Sequence, residues 1–243
     1  MKKLDGKIAI VTGASRGIGR GIARVLAEEG ASLAITARGG DALAGVAAEL
    51  TPLGVQAIAL PGDVGDASFV EELFAMVREQ FGRLDLLVNN AGAFDGGPLE
   101  TLSIEAWDRV IATNLRGPFL CTQQAMRMMK PQRSGRIINV GSISAHRVRP
   151  NSAAYSASKH GLWGLSQVTA LEGREFGITC CCLQPGNILV PHRAASGKPE
   201  DAEPMLCVEE IAEVARLMAT LPPHVEMLEA TVIPRNQLYV GRG

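Results

Sequence analysis

The residues best suited to chemistry stand in "AAYSASKHG" (153–161), where Tyr155 and Lys159 lie four apart among alanines, serines and a glycine. On a helix this spacing sets a phenol and an ammonium on one face, a turn from each other. A free phenol ionises near about pH 10 and is a poor proton shuttle at neutrality. An ammonium a few Å away favours the phenolate, so the two would titrate as a unit able to give and take a proton. The structural alternative is a helix-packing tyrosine beside a snorkelling lysine.

A second candidate is "TGASRGIGRG", whose Gly13, Gly17 and Gly19 are spaced GxxxGxG between an apolar run and a helical one. This is neither the GxGxxG fingerprint nor a P-loop, which would need Gly-Lys-Ser/Thr. The physics is shared, however. Glycines let the backbone turn tightly and approach a pyrophosphate, whose charge meets the free N–H groups of a helix N-terminus. Sites that take NAD carry an acid near the end of the second strand for the ribose 2′-hydroxyl. Here "ITARGG" puts Ala37 at that place and Arg38 after it, while Arg16 sits inside the loop. Two guanidinium groups and no carboxylate suit a 2′-phosphate, so the expected cofactor is NADP(H). The alternative leaves Arg38 as a solvated surface charge.

These residues need a scaffold, and the hydrophobic pattern supplies one. Apolar runs "KIAIVTG", "ASLAITA", "VQAIAL", "LDLLVNN", "GRIINVGS", "ITCCCLQPG" and "EATVIP" read as strands. Helical periodicity separates them over Gly19–Glu29, Asp41–Thr51, Ala67–Phe81, Ile104–Met129, Ala154–Phe176 and Glu209–Thr220. Continuous apolar strands alternating with helices predict a parallel sheet covered on both faces. The expectation is a single α/β domain over 1–243, a doubly wound Rossmann-type sandwich, with a substrate loop at about 186–207.

Composition excludes several classes. Of the 243 residues 47% are hydrophobic and 20% charged, which is ordinary for a globular chain and too apolar for disorder. A net charge of −1 and 4% aromatic residues offer neither a basic footprint nor stacking platforms, so no nucleic-acid or membrane partner is expected. The five cysteines lack metal-ligand spacing and read as buried small hydrophobes, with no metal site. The N-terminal stretch shows no signal-type apolar core, and the expected location is a reduced cytoplasm.

With "TGASRGIG", "NNAG" (89–92), Asn114 in "IATNLRG", Ser142 in "NVGSIS" and "YSASK" in this order, the chain resembles the short-chain dehydrogenase/reductases, in their compact branch of ketoreductase-like proteins. The resemblance spans nearly the whole chain and implies a mostly parallel seven-stranded Rossmann sheet. It implies that Tyr155 is the general acid/base at the substrate oxygen and that Lys159 also bonds the nicotinamide ribose. Ser142 would polarise the carbonyl, and Asn114 would hold a water linking Lys159 to solvent. Cofactor contacts would come from Gly13, Ser15, Arg16, Gly17, Ile18, Gly19, Arg38, Asp63, Val64, Asn90, Ala91 and Gly92. "PGNILV" is similar to the PGxVxT nicotinamide clamp, with Pro185, Gly186 and Ile188 in place and Val190 where the threonine stands.

The implied reaction is hydride transfer between nicotinamide and a carbonyl or secondary alcohol. An NADPH preference favours reduction, because that pool is kept reduced in cells. For the substrate, Phe94, Ser144, His146, Asn187 and His192 are candidates, and Arg147, Arg149 and Arg193 add positive charge near them. A small polar or anionic ketone is the expectation. The resemblance also implies a homotetramer or dimer through the helices carrying Asn114 and Tyr155. Rival readings are an NAD-dependent alcohol or sugar dehydrogenase and a non-catalytic NADP-sensing regulator.

Overall fold

The computed structural model describes residues 2–190 and 203–239. Seven parallel strands form one sheet: β1 (Ile8–Thr12), β2 (Ser32–Ala37), β3 (Ala57–Pro61), β4 (Leu86–Asn89), β5 (Gly135–Val140), β6 (Ile178–Pro185) and β7 (Glu229–Val232). Their spatial order is β3-β2-β1-β4-β5-β6-β7, with every neighbouring pair parallel. The expected strands are all present, and the Rossmann-type sheet stands as predicted.

The helices are α1 (Gly17–Glu28), α2 (Gly40–Leu50), α3 (Ala67–Phe81), α4 (Ile104–Ile111), α5 (Gly117–Gln132), α6 (Ala153–Gly173) and α7 (Val208–Thr220). Continuous apolar strands bury both faces of the sheet. Ala9, Val11, Leu33 and Ile35 pack with Ile22, Leu26, Leu43 and Ile211 of α1, α2 and α7 on one side. Ile10, Ala34, Leu87 and Ile137 pack with Phe74, Cys121 and Met129 of α3 and α5 on the other. Of the cysteines, only Cys207 is exposed. No helix among the described residues is long and apolar enough to cross a membrane, and no metal-ligating cluster occurs among them.

One expected helix is interrupted. The segment 104–129 was predicted as continuous, whereas Ala112–Arg116 is a π-helical turn between α4 and α5, with Gly117 N–H donating to the Ala112 carbonyl. "ATNLR" itself holds no proline or glycine, but Gly117 and Pro118 follow it directly, and Pro118 has no N–H to offer the Asn114 carbonyl four residues back. A tertiary contact joins this local one: the Asn114 side chain bonds the backbone of Ala93 beyond β4, and widened turns of this kind favour functional positions.

Strand order reverses between β1 and β4, where connections leave to opposite sides. Ligands of open α/β sheets bind outside the carboxyl ends of the strands at such a point. The glycine loop, "NNAG" and the serine of "NVGSIS" all follow carboxyl ends of β1, β4 and β5.

Candidate active site

A cleft of about 510 Å³ opens at the switch point, lined along its floor by Gly13, Ser15, Gly17 and Gly19 and along its walls by residues from β2, β3 and β4. Gly13 and Gly17 have φ of +65° and +53°, the left-handed region that glycine adopts without strain. A Cβ on Gly13 would come 2.7 Å from Ala91 Cα, and one on Gly19 would strike the Gly13 carbonyl oxygen. The backbone is thus bared where α1 begins. "NNAG" locks this loop: Asn90 Nδ2 donates to the carbonyls of Thr12 and Gly13 at 2.9 and 3.1 Å. Thr12 Oγ1 accepts in return from the N–H groups of Asn90 and Ala91 at 2.9 and 3.0 Å.

Arg16, Ile18, Arg38, Asp63, Val64, Asn90, Ala91 and Gly92 line the same cleft. Both arginines are exposed, and neither forms an ion pair among the described residues. No acid occupies position 37 beside them. Asp63 Oδ1 accepts from Gly65 N–H at 2.8 Å, which fixes the carboxylate at the rim. Ala37 and Val190, the positions of the missing acid and of the missing clamp threonine, line the cleft as well, together with Gly39, Ala42, Gly62 and Thr113. The last four are small and carry no sequence signal of their own.

The "PGNILV" segment lies partly behind the cleft. Pro185 ends β6, Gly186 N–H donates to Val232 O at 2.8 Å, and Ile188 is buried, pairing with Leu206. None of these three lines the cleft; Val190 does, against Gly17. Asn187 is buried too: its N–H donates to Gln237 Oε1 at 3.0 Å and its Nδ2 to Glu203 at 2.8 Å. His192 and Arg193, with much of the proposed 186–207 loop, lie outside the described residues.

Tyr155 and Lys159 share a face of α6, and Lys159 Nζ lies 5.5 Å from the Tyr155 ring centroid. The lysine is buried, and its ammonium donates to the Val140 carbonyl at 2.8 Å. Val140 ends β5, so this bond ties α6 to the strand that delivers Ser142 two residues later. Phe94 meets the Tyr155 ring edge-to-face at 5.4 Å and is itself largely exposed.

Ser142 is buried, opening a short 3-10 turn over Ile143–Ala145. Its Oγ accepts from Ser144 N–H at 3.1 Å, leaving its own hydrogen as a donor. Its N–H donates to Gln184 Oε1 at 2.6 Å. His146 closes the turn; its Nε2 contacts Glu229 Oε1, and its ring meets Trp163 edge-on at 6.2 Å. Asn114 is buried, accepts from Ala93 N–H at 2.7 Å, and donates to Ala93 O and Ser158 Oγ at 2.9 and 3.2 Å. Gln184 and Glu229 escaped the sequence because they read only as strand residues.

A switch-point cleft with a bared glycine loop beside a tyrosine–lysine helix marks a Rossmann-type dinucleotide enzyme, and comparison with known proteins narrows this. The short chain dehydrogenase family model matches residues 7–201. A 3-oxoacyl-[acyl-carrier-protein] reductase of Synechocystis sp. is 37% identical over 234 residues, covering 91% of this chain and 92% of that protein. Among solved structures, an alcohol dehydrogenase of Thermococcus sibiricus complexed with 5-hydroxy-NADP superposes with a TM-score of 0.85 at 34% identity, covering 93% of this chain and 95% of that one. A metagenomic short-chain oxidoreductase in complex with NADP gives 0.84 at 34%, covering 96% and 99%. The chain belongs to the short-chain dehydrogenase/reductase family and is an oxidoreductase acting between CH–OH and C=O groups.

Proposed function

We propose that this enzyme is an NADP(H)-dependent ketone reductase acting on a small polar substrate. The observation that carries the reading is the seat of Lys159, a buried ammonium fixed by the Val140 carbonyl and set beside the Tyr155 ring. Burying a charge is costly unless it has work or a partner, and here one carbonyl occupies one of three donors. The remaining hydrogens can serve Tyr155 and a ribose.

The cradle fits the cofactor. The glycine floor admits a pyrophosphate, and Arg16 and Arg38 offer guanidinium groups where a 2′-phosphate would lie. NADP and 5-hydroxy-NADP in the two similar structures support the same choice. Asp63, Val64 and "NNAG" would hold the adenosine half, and Pro185, Gly186 and Ile188 would back the nicotinamide half. When bound, the cofactor supplies or accepts the hydride at the carbonyl carbon.

The chain's own residues supply the rest. In the reducing direction Ser142 O–H donates to the substrate oxygen and steadies the negative charge that grows there. Tyr155 O–H passes its proton to that oxygen, completing the alcohol. Lys159 stabilises the phenolate left behind until a proton returns from solvent. All polar atoms of the Asn114 side chain are engaged with Ala93 and Ser158, so a relay water would rest on its main-chain carbonyl, in the widened π turn. Ser144, bonded to Ser142, and Phe94, against Tyr155, would bound the substrate.

The whole of 1–243 is proposed to act as one catalytic domain, with its substrate loop at about 186–207, in a reduced cytoplasm that suits the free cysteines. The test is NADPH and NADH oxidation against a panel of β-ketoesters, diketones, quinones, aldehydes and keto-sugars, with Tyr155→Phe alongside. Turnover faster with NADPH and reduced by about a hundredfold or more in the variant is expected. Faster turnover with NADH would remove the cofactor assignment, and cofactor binding with no turnover would turn the reading towards a sensor.

A further inference from the structure

We propose that Gln184, Glu229 and His146 form a positioning relay that holds Ser142 against the substrate oxygen; this rests on the reading of Ser142 as the carbonyl-polarising group. Gln184 is fully buried, and both ends of its amide are spoken for. Oε1 accepts from Ser142 N–H at 2.6 Å and Nε2 donates to Glu229 Oε1 at 3.1 Å. The same carboxylate oxygen contacts His146 Nε2. The serine turn is therefore tied to one carboxylate at both ends, through Gln184 where it begins and directly where it finishes.

Strand register makes the arrangement possible. Glu229 pairs with Cys182 across β6 and β7, so it shares a sheet face with Cys182 and Gln184. Gly141 leaves the space: a Cβ there would strike Gln184 Oε1. Trp163, which carries the His146 ring, lies four residues past Lys159 and eight past Tyr155 on α6. The far end of the serine turn thus rests on the stripe that bears the proton-transfer pair. Displacement of a catalytic group by about 1 Å can cost on the order of a hundredfold in rate, so a relay that fixes the backbone of Ser142 through the buried Gln184 acts on turnover rather than on cofactor affinity.

The alternative is that these side chains only staple β6 to β7, which would affect stability and leave the rate constant alone. Gln184→Glu, Glu229→Gln and the double exchange separate the two, assayed on the best ketone of the panel. Gln184→Glu sets two carboxylates against each other, and kcat is expected to fall about tenfold or more, with the NADPH dissociation constant held within about twofold. The double exchange restores complementary partners: the new carboxylate accepts from Ser142 N–H, and the new amide sets its NH2 where the shared oxygen stood, donating one hydrogen to that carboxylate and the other to His146 Nε2 of the neutral ring. Recovery of kcat to within about threefold of wild type is expected. Should Gln184→Glu not fold, Gln184→Met, of similar length and uncharged, carries the same expectation of lost kcat. An active wild type whose kcat is unchanged in Gln184→Glu and Gln184→Met, or a folded double variant that stays impaired, overturns the relay. A wild type that binds NADPH and reduces no carbonyl overturns the reductase reading instead.

Discussion

We propose that Arg38 and Ala37 set which dinucleotide the cleft prefers, because both line it at the end of β2, where the adenosine ribose would lie and the two cofactors differ. If Arg38 bonds a 2′-phosphate, Arg38→Ala raises the KM for NADPH by about tenfold or more, the equivalent of one charge-assisted hydrogen bond, and barely moves the KM for NADH. Steady-state kinetics with both cofactors checks this; an equal change for both would make Arg38 a bystander. Such residues are legible in sequence because each meets one steric or electrostatic demand, as Gly13 does at positive φ and Arg38 does at the end of β2. Gln184 and His146 are not, since their roles come from partners 42 and 83 residues away. His146 shows the difference well: in sequence it is a basic residue near the substrate, and in the fold its Nε2 faces a carboxylate of β7.

Among the elements, β1 and β4 form the switch point, and Asp85 secures their amino ends. Its carboxylate accepts from Ile8 N–H and Lys7 Nζ at 3.1 Å each and from Arg83 at 2.9 and 2.6 Å. Burial is the strongest single influence on this carboxyl and pushes its pKa upward, yet Arg83, Ile8 N–H and Lys7 together hold it below the ordinary carboxylate value. A lowered native pKa stabilises the fold above the unfolded carboxyl's value of about 3.9, and that contribution is lost as pH falls through the native value. Asp85→Asn should therefore cost about 1–3 kcal/mol at pH 7, with the gap to wild type closing below about pH 4. Thermal melts at stepped pH test it, and a gap that widens on acidification would reverse the sign. The strands and most helices could be read from periodicity alone, since burial on both faces of the sheet imposes it. Periodicity does not show the π turn at Ala112–Arg116: Pro118 marks a break in that helical run, and the contact that seats Asn114 in the turn comes from Ala93 in another loop.

At the scale of the whole molecule, large apolar side chains remain exposed on the helices that flank the catalytic face. Ile104 and Trp107 lie on α4, Phe119 on α5, and Val168 and Leu171 on α6. Apolar surface gathered on neighbouring helices marks association sites, and closed symmetric assemblies are the usual outcome for such enzymes. We propose assembly into a homotetramer, or a dimer, through these helices. Covering them would also stiffen α6, which bears Tyr155 and Lys159, and the π turn that seats Asn114. Phe119→Asp with Val168→Asp places charges in the contact, where unpaired burial is costly, and should shift the mass seen by light scattering towards the monomer. Because the cleft residues are untouched, NADPH binding should survive, while kcat falls if α6 needs its neighbour. A wild type that is monomeric at every accessible concentration would leave those apolar faces to some other partner, and the catalytic face would have to be rigid within one chain.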